Sequence, residues 1–299
     1  MSFPVLILGG PTGSGKTQAA LEIASRYPAE IVNADSRQIY RDLIIGTNQP
    51  SDIEKQTAPH HLFSFLPPDQ PFSMADYERV AYPTLQDILS RSKLPVITGG
   101  TGFYIKAILR GTWPVPEKDP ELRDRLKKIE TQKGKEYLHK LLRRVDPESS
   151  RKVPAADSYR VQRALEIYFQ TGMKKSEIPL KKERFSAVKL FLDIPINKLR
   201  EKIQNRTESL FERGWIEEVR ELLIRYPEFE SMPASGSLGY REIIHYLHGK
   251  ISMDECKDLI FRKTWQYARR QRTWFRNQDQ FQSVESSEKL QKIVDSVLQ

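Results

Sequence analysis

Apolar residues in this chain fall into short unbroken runs separated by longer stretches with helical spacing. The runs are Val5-Leu6-Ile7-Leu8, Glu30-Ile31-Val32-Asn33-Ala34, Leu94-Pro95-Val96-Ile97-Thr98 and the stretch from Ala187 to Ile194. Their length and β-branched content predict buried strands. Between them lie amphipathic patterns that predict helices. One opens at Gln18, and a second runs from a Ser73 cap, with Asp76 three residues on, to about Leu89. A third follows Tyr104, and others carry Leu122 to Ile129, Leu141-Leu142 and the residues after Asp157. A long helix has Leu199, Ile203, Leu210 and Phe211 as its apolar stripe and stops at Gly214, and a last helical region covers Phe261 to Asn277. Strands that alternate with helices predict an α/β fold, a parallel sheet flanked by helices. The polar tail after Ser283 is expected to fray.

The polar residues at the strand tips carry the chemistry. After Val5-Leu8 come Gly10, Pro11, Thr12, Gly13, Ser14, Gly15, Lys16 and Thr17, the spacing of a phosphate-binding P-loop. In such a loop backbone N–H groups and a helix N-terminus face an anion, Lys16 adds charge, and the Thr17 hydroxyl completes a magnesium shell. The second strand ends in Asp35-Ser36-Arg37-Gln38, and the third in Gly99-Gly100-Thr101-Gly102. Ligands of open parallel sheets bind at that carboxyl edge, so Asp35 and Thr101 are expected on the P-loop's rim. A kinase or ATPase would carry an Asp where Gly99 to Thr101 stand, which weakens a nucleotidase reading. His60-His61 and the pair His245 and His248 lack further ligands at metal spacing and read as structural.

Composition narrows the class. The chain has 299 residues, 29% charged and 38% hydrophobic, as a soluble globular protein would. No apolar stretch is long enough to span a bilayer and the N-terminus has no basic leader, so the expected location is the cytoplasm and no membrane is involved. The single cysteine, Cys256, rules out an internal disulfide and a multi-cysteine zinc site. The formal net charge is +9, and residues 116–186 hold most of the surplus, with 19 Lys+Arg against 12 Asp+Glu. Beginning with the Pro-rich stretch at Trp113-Pro114-Val115-Pro116, that region reads as an all-helical insertion (116–186) in a core made of 1–115 and 187–299. Its Arg160 and Arg163 share a helix face, where they either meet phosphates or pair with Glu166. The Lys-rich stretch from Lys174 to Arg184 reads as a loop. The last helix interleaves Arg269, Arg270, Arg272 and Arg276 with Trp265, Tyr267, Trp274 and Phe275. Such a helix stacks on RNA bases, buries its aromatics in the core, or does both with different residues.

The motifs from Gly10 to Thr17, Asp35 to Tyr40, Gly99 to Tyr104, Asp157 to Glu166, Leu238 to Glu242 and Tyr267 to Phe275, in this order, closely resemble those of the bacterial tRNA dimethylallyltransferases. The resemblance covers nearly the whole chain. It implies a P-loop core with a helical insertion that clasps a tRNA anticodon stem-loop. It also implies transfer of the dimethylallyl group of dimethylallyl diphosphate to N6 of the adenosine 3′ of the anticodon, with Mg2+ as cofactor, by a monomer. Carried over by position, Asp35 would be the general base, Thr101 would hydrogen-bond the adenine, and Arg206 would join Gly10, Thr12, Gly13, Ser14, Gly15, Lys16 and Thr17 on the diphosphate. The implied tRNA contacts are Asp35, Ser36, Arg37, Gln38, Thr101, Arg123, Arg160, Gln162, Arg163, Arg270 and Gln271. The chain departs from the pattern at Ser64, where an acidic residue is usual, and at Trp265, where Arg is usual. Three rivals remain at this stage: a prenyltransferase of free adenylate, a small-molecule kinase and a non-catalytic RNA-binding protein.

Overall fold

The computed structural model describes residues 4–113, 115–179, 182–278 and 280–298. The chain divides into two compact units, one from the described residues within Met1–Gly111 and Glu183–Gln299, the other from those within Thr112–Lys182. Pro114 and the Leu180-Lys181 part of the Lys-rich stretch lie outside the described residues.

The first unit is built on one sheet of six strands: β1 (Val5–Gly9), β2 (Ala29–Asn33), β3 (His60–His61), β4 (Leu94–Gly99), β5 (Ala187–Leu192) and β6 (Gln282–Val284). Their order is β3-β2-β4-β1-β5-β6, and every neighbouring pair is parallel. The four apolar runs form the middle of the sheet. Edge strands β3 and β6 are too short to leave a periodic signal. Helices α1 (Lys16–Ala24), α2 (Asp52–Thr57), α3 (Met74–Ser90) and α4 (Gly102–Arg110) intersperse the first four strands. Alternation along β1 sends Leu6 and Leu8 into a core with Ala19, Ala20 and Ile23 of α1. Val5 and Ile7 go the other way, against Tyr77, Ala81 and Leu85 of α3 and Ile105 and Ile108 of α4. Both faces are covered, which is why the strand reads as a solid apolar run.

The two histidines of β3 are held differently: His60 Nδ1 meets the Ala58 carbonyl at 2.8 Å, and His61 joins an ionic network. His61 Nε2 lies 2.7 Å from Glu30 Oε2, and Glu30 also accepts two hydrogen bonds from Arg91. Those Arg91 bonds, opposed by burial, hold the Glu30 carboxyl down at about 2.

The second unit is all-helical. It contains α5 (Pro120–Lys133), α6 (Lys135–Val145), α7 (Pro147–Lys152) and α8 (Ser158–Thr171) around Leu126, Leu138, Leu142, Val161 and Leu165. Asp119, Asp146 and Asp157 cap three of the four by accepting backbone N–H bonds.

The first unit resumes with β5 and then α9 (Ile196–Glu212), α10 (Trp215–Arg225), α11 (Tyr240–Leu247), α12 (Met253–Arg276) and α13 (Ser287–Leu298). Helix α12 begins at Met253, not at Phe261, because Ser252 and Glu255 form a capping box there. Trp215, Val219, Phe229, Tyr240, Ile243, Cys256 and Ile260 make a further core around α10, α11 and the first half of α12. The tail does not fray as expected. Leu290 and Val294 of α13 are buried against the first core, and Asp295 accepts from the Tyr27 hydroxyl at 2.6 Å. Among the described residues no helix is long and apolar enough to cross a membrane.

Candidate active site

Parallel register brings three strand ends side by side: Gly9 pairs with Gly99, and Asn33 with Thr98. The chain beyond them is packed too tightly for side chains. A Cβ on Gly99 would strike the Ala34 backbone, and one on Gly100 would strike the Gln271 amide. Gln271 donates from Nε2 to the Gly100 carbonyl (3.1 Å) and accepts at Oε1 from Thr12 N–H (2.9 Å). It is only 5% exposed. This expected RNA contact is therefore a buried staple between the P-loop and the Gly-Gly-Thr tip, 259 residues from Thr12.

Asp35 stands where β2 ends. Its N–H donates to Asn33 Oδ1 (2.8 Å), and its own Oδ1 accepts from Arg37 N–H (2.9 Å), which fixes the carboxylate on a tight turn. The Thr101 hydroxyl oxygen accepts from Ser36 N–H (3.0 Å) and donates to Ser36 Oγ (3.3 Å). Asp35, Ser36 and Thr101 thus form one joined rim. Gln38 is turned inward, its amide donating to the carbonyls of Thr47 (3.1 Å) and Asn48 (2.7 Å).

The glycine loop has the geometry its spacing predicts. Gly13 (φ 79°) and Gly15 (φ 97°) occupy left-handed backbone, which suits glycine and an anion-binding turn. Ser14 Oγ is buried without a hydrogen-bond partner. Lys16 donates from Nζ to the Pro11 carbonyl (2.7 Å). Its burial is the main force that lowers its pKa to about 8, against the pull of Asp35 and with the push of Arg206. Burial likewise draws Arg206 below its ordinary value, countered by Asp35. Two largely desolvated cations near the Asp35 carboxylate make a site short of negative charge.

Two cavities meet at this point. One, of 380 Å³, is lined by Gly13, Gly15, Lys16, Thr17, Gln38 and Asn48. The other, of 360 Å³, is lined by Ser36, Arg37, Leu210, Ser237, Tyr267 and Arg270. Thr12, Asp35, Thr47 and Arg206 line both. Burial, with Asp35 nearby, pushes the Tyr267 phenol up to about 12, so it stays neutral at physiological pH. Helix α12 divides its residues between uses. Phe275 stacks on Phe191 in the core, Arg272 and Arg276 pair with Asp193 at the end of β5, and Tyr267 and Arg270 face the cavity.

The expected contacts in the helical unit fare unevenly. Glu166 is fully buried and accepts from Arg123, Arg163 and Asp119 N–H. Burial alone would raise its pKa, but the two arginines together carry it below the ordinary value. Arg123 and Arg163 are thus paired inside the unit while keeping part of their surface exposed, and Gln162 donates to Glu130. Arg160 is exposed, with Asp157 at 3.4 Å.

Sequence reasoning missed Glu218. Its carboxylate accepts from the N–H groups of Ile44 (2.8 Å), Ile45 (2.5 Å) and Gly46 (3.1 Å) and from the Tyr240 hydroxyl (2.7 Å). It anchors the loop that brings Gly46 and Thr47 to the cavities. Nothing in the local pattern separates it from its neighbour Glu217. Among the described residues no group of three or more His, Cys, Asp or Glu could hold a metal.

The chain is similar to known proteins over nearly its whole length. The IPP transferase family model matches residues 38–278, and the isopentenyl transferase model matches residues 4–61. A tRNA dimethylallyltransferase of Koribacter versatilis is 39% identical over 285 residues, 93% of this chain and 92% of that protein. The tRNA isopentenylpyrophosphate transferase structure from Bacillus halodurans superposes with a TM-score of 0.73 at 30% identity, covering 99% of this chain and 95% of that one. A eukaryotic dimethylallyltransferase captured acting on tRNA superposes with a TM-score of 0.78 at 26% identity, over 95% of this chain and 74% of that one.

Proposed function

The chain belongs to the tRNA dimethylallyltransferase family, and from that premise we propose that it transfers the dimethylallyl group of dimethylallyl diphosphate to N6 of the adenosine immediately 3′ of a tRNA anticodon, giving N6-isopentenyladenosine. The carrying observation is the position of Asp35 and Arg206, which line both the P-loop cavity and the cavity of Tyr267 and Arg270. The P-loop cavity takes the donor's diphosphate and the other takes the adenine. In the reaction the N6–C1 bond forms, the C1–O bond to diphosphate breaks, and the N6 proton passes to the Asp35 carboxylate.

An exocyclic amine is a poor nucleophile, so rate comes from stabilising charge on the leaving group. Loop amides, Lys16 and Arg206 do this in a site poor in negative charge. Magnesium fits as well. Thr17 lines the donor cavity and its hydroxyl would hold the ion, which suits an ion that keeps few protein ligands. When bound it supplies further neutralisation of the leaving group. Thr101, held by Ser36, offers a hydroxyl to the adenine edge beside Asp35. Arg37 and Arg270 line the adenine side and suit the RNA backbone near the extruded base. Transfer to free adenylate is set aside, since the relatives are named for tRNA and the longer family match runs far beyond the segment shared with the isopentenyl transferases.

The test is direct. With magnesium and dimethylallyl diphosphate, the protein prenylates an anticodon stem-loop that carries adenosine beside the anticodon. Transfer to AMP with none to the stem-loop overturns this assignment.

A further inference from the structure

Helix α9 lies across the P-loop. A Cβ on Gly13 would come within 3.0 Å of Ile203 Cγ1 and 3.7 Å of Leu199 Cδ1, so the apolar stripe of α9 rests on the loop's glycine backbone. Residues at the flank of that stripe are carried over the loop's mouth. Arg206 is one of them. Lys202 is one helical turn earlier on the same face, lines the same cavity, and its ammonium lies 4.0 Å from the point that a Cβ on Gly15 would occupy. Gly15 precedes α1, whose N-terminal amides suit an anion.

Lys202 has no acidic partner among the described residues, whereas Lys257, on α12, pairs with Glu208 of α9 at 2.8 Å. The acids that line its cavity are Asp35 and Glu54. Glu54 is turned to cap its own helix, accepting from Ser51 N–H at 2.7 Å. An unpaired, exposed cation over an anion-binding loop is placed to meet whatever charge lies farthest from Asp35.

Building on the reading of the P-loop as a diphosphate clamp, we propose that Lys202 is a donor-binding residue. It grips the terminal phosphate from the solvent side while Arg206 serves the phosphate nearer Asp35. The donor is then held from below by loop amides, from within by Lys16, and from above by two α9 cations. The exposed position gives Lys202 a second part in drawing the anion into the cavity.

Calorimetric titration of the full chain with inorganic pyrophosphate and magnesium tests this. Lys202→Ala should weaken pyrophosphate binding about tenfold, and Lys202→Arg should keep it within about twofold. Lys198→Ala, exposed on the same helix but outside the cavity lining, should bind as the parent does. If Lys202→Ala binds within about twofold of the parent, or if Lys198→Ala loses as much, Lys202 is a solvated surface lysine and the inference fails. If pyrophosphate binds the parent chain without competing with dimethylallyl diphosphate, the clamp reading itself fails. A melting curve of each variant separates loss of affinity from loss of fold.

Discussion

The arginines of the helical unit and the cations of the P-loop unit are put to opposite uses. In the helical unit Arg123 and Arg163 converge on a fully buried Glu166 and cancel its charge. At the P-loop Lys16 and Arg206 are part-buried near Asp35, and among the described residues neither forms an ion pair with it. The first arrangement is complete by itself, and its arginines hold α5 to α8. The second is complete only when an anion arrives. A local surplus of Lys and Arg in the sequence therefore does not mark where phosphate chemistry happens. What marks it is a cation that is desolvated and left without its counter-ion.

The sharpest way to break this contrast is at Asp35, the carboxylate whose charge acts on both Lys16 and Arg206. Asp35→Asn keeps an oxygen to accept from Arg37 N–H, so the turn survives, but it removes the base. Turnover on the stem-loop should fall by about 10²- to 10⁴-fold while tRNA affinity stays within a few-fold. Equal losses in binding and turnover would make Asp35 a docking group.

The opposite region is probed through Glu166. Glu166→Gln leaves two partly exposed arginines short of their shared charge and should destabilise the helical unit by about 1–3 kcal/mol, read by thermal or denaturant unfolding. Pyrophosphate binding, which belongs to the other unit, should not move. A variant with unchanged stability and lost RNA affinity would return Arg123 and Arg163 to the role of phosphate contacts.

How much of this the sequence discloses depends on the distance over which each feature is made. The Gly10 to Thr17 loop, Asp35 and Thr101 are legible because each is a short segment at the tip of an apolar strand, where local spacing dictates local geometry. The sheet's four central strands are legible for the same reason. Gln271 is not, since its amide bridges Thr12 and Gly100 from far along the chain. Glu218 is hidden likewise, its backbone donors lying 172 to 174 residues away. Helix α13 was in plain view in Leu290, Ile293 and Val294, whose spacing repeats on one face. Its polar neighbours masked that stripe.

The last test uses pH to ask whether the P-loop cations are held short of negative charge. Burial lowers Lys16 to about 8, so below that pH the free enzyme carries the ammonium, and above it the amine loses its proton. A bound diphosphate favours the charged form. At pH 9 binding must therefore take up a proton, and donor affinity should fall toward tenfold for each unit above about 8. Lys16→Arg keeps its charge throughout this range and should flatten the profile, even if its starting affinity is lower. The affinity of the parent chain for pyrophosphate, followed from pH 7 to 9.5, gives the answer. A profile flat to pH 9.5 would place Lys16 among fully charged, solvated groups and would remove the contrast between the two units.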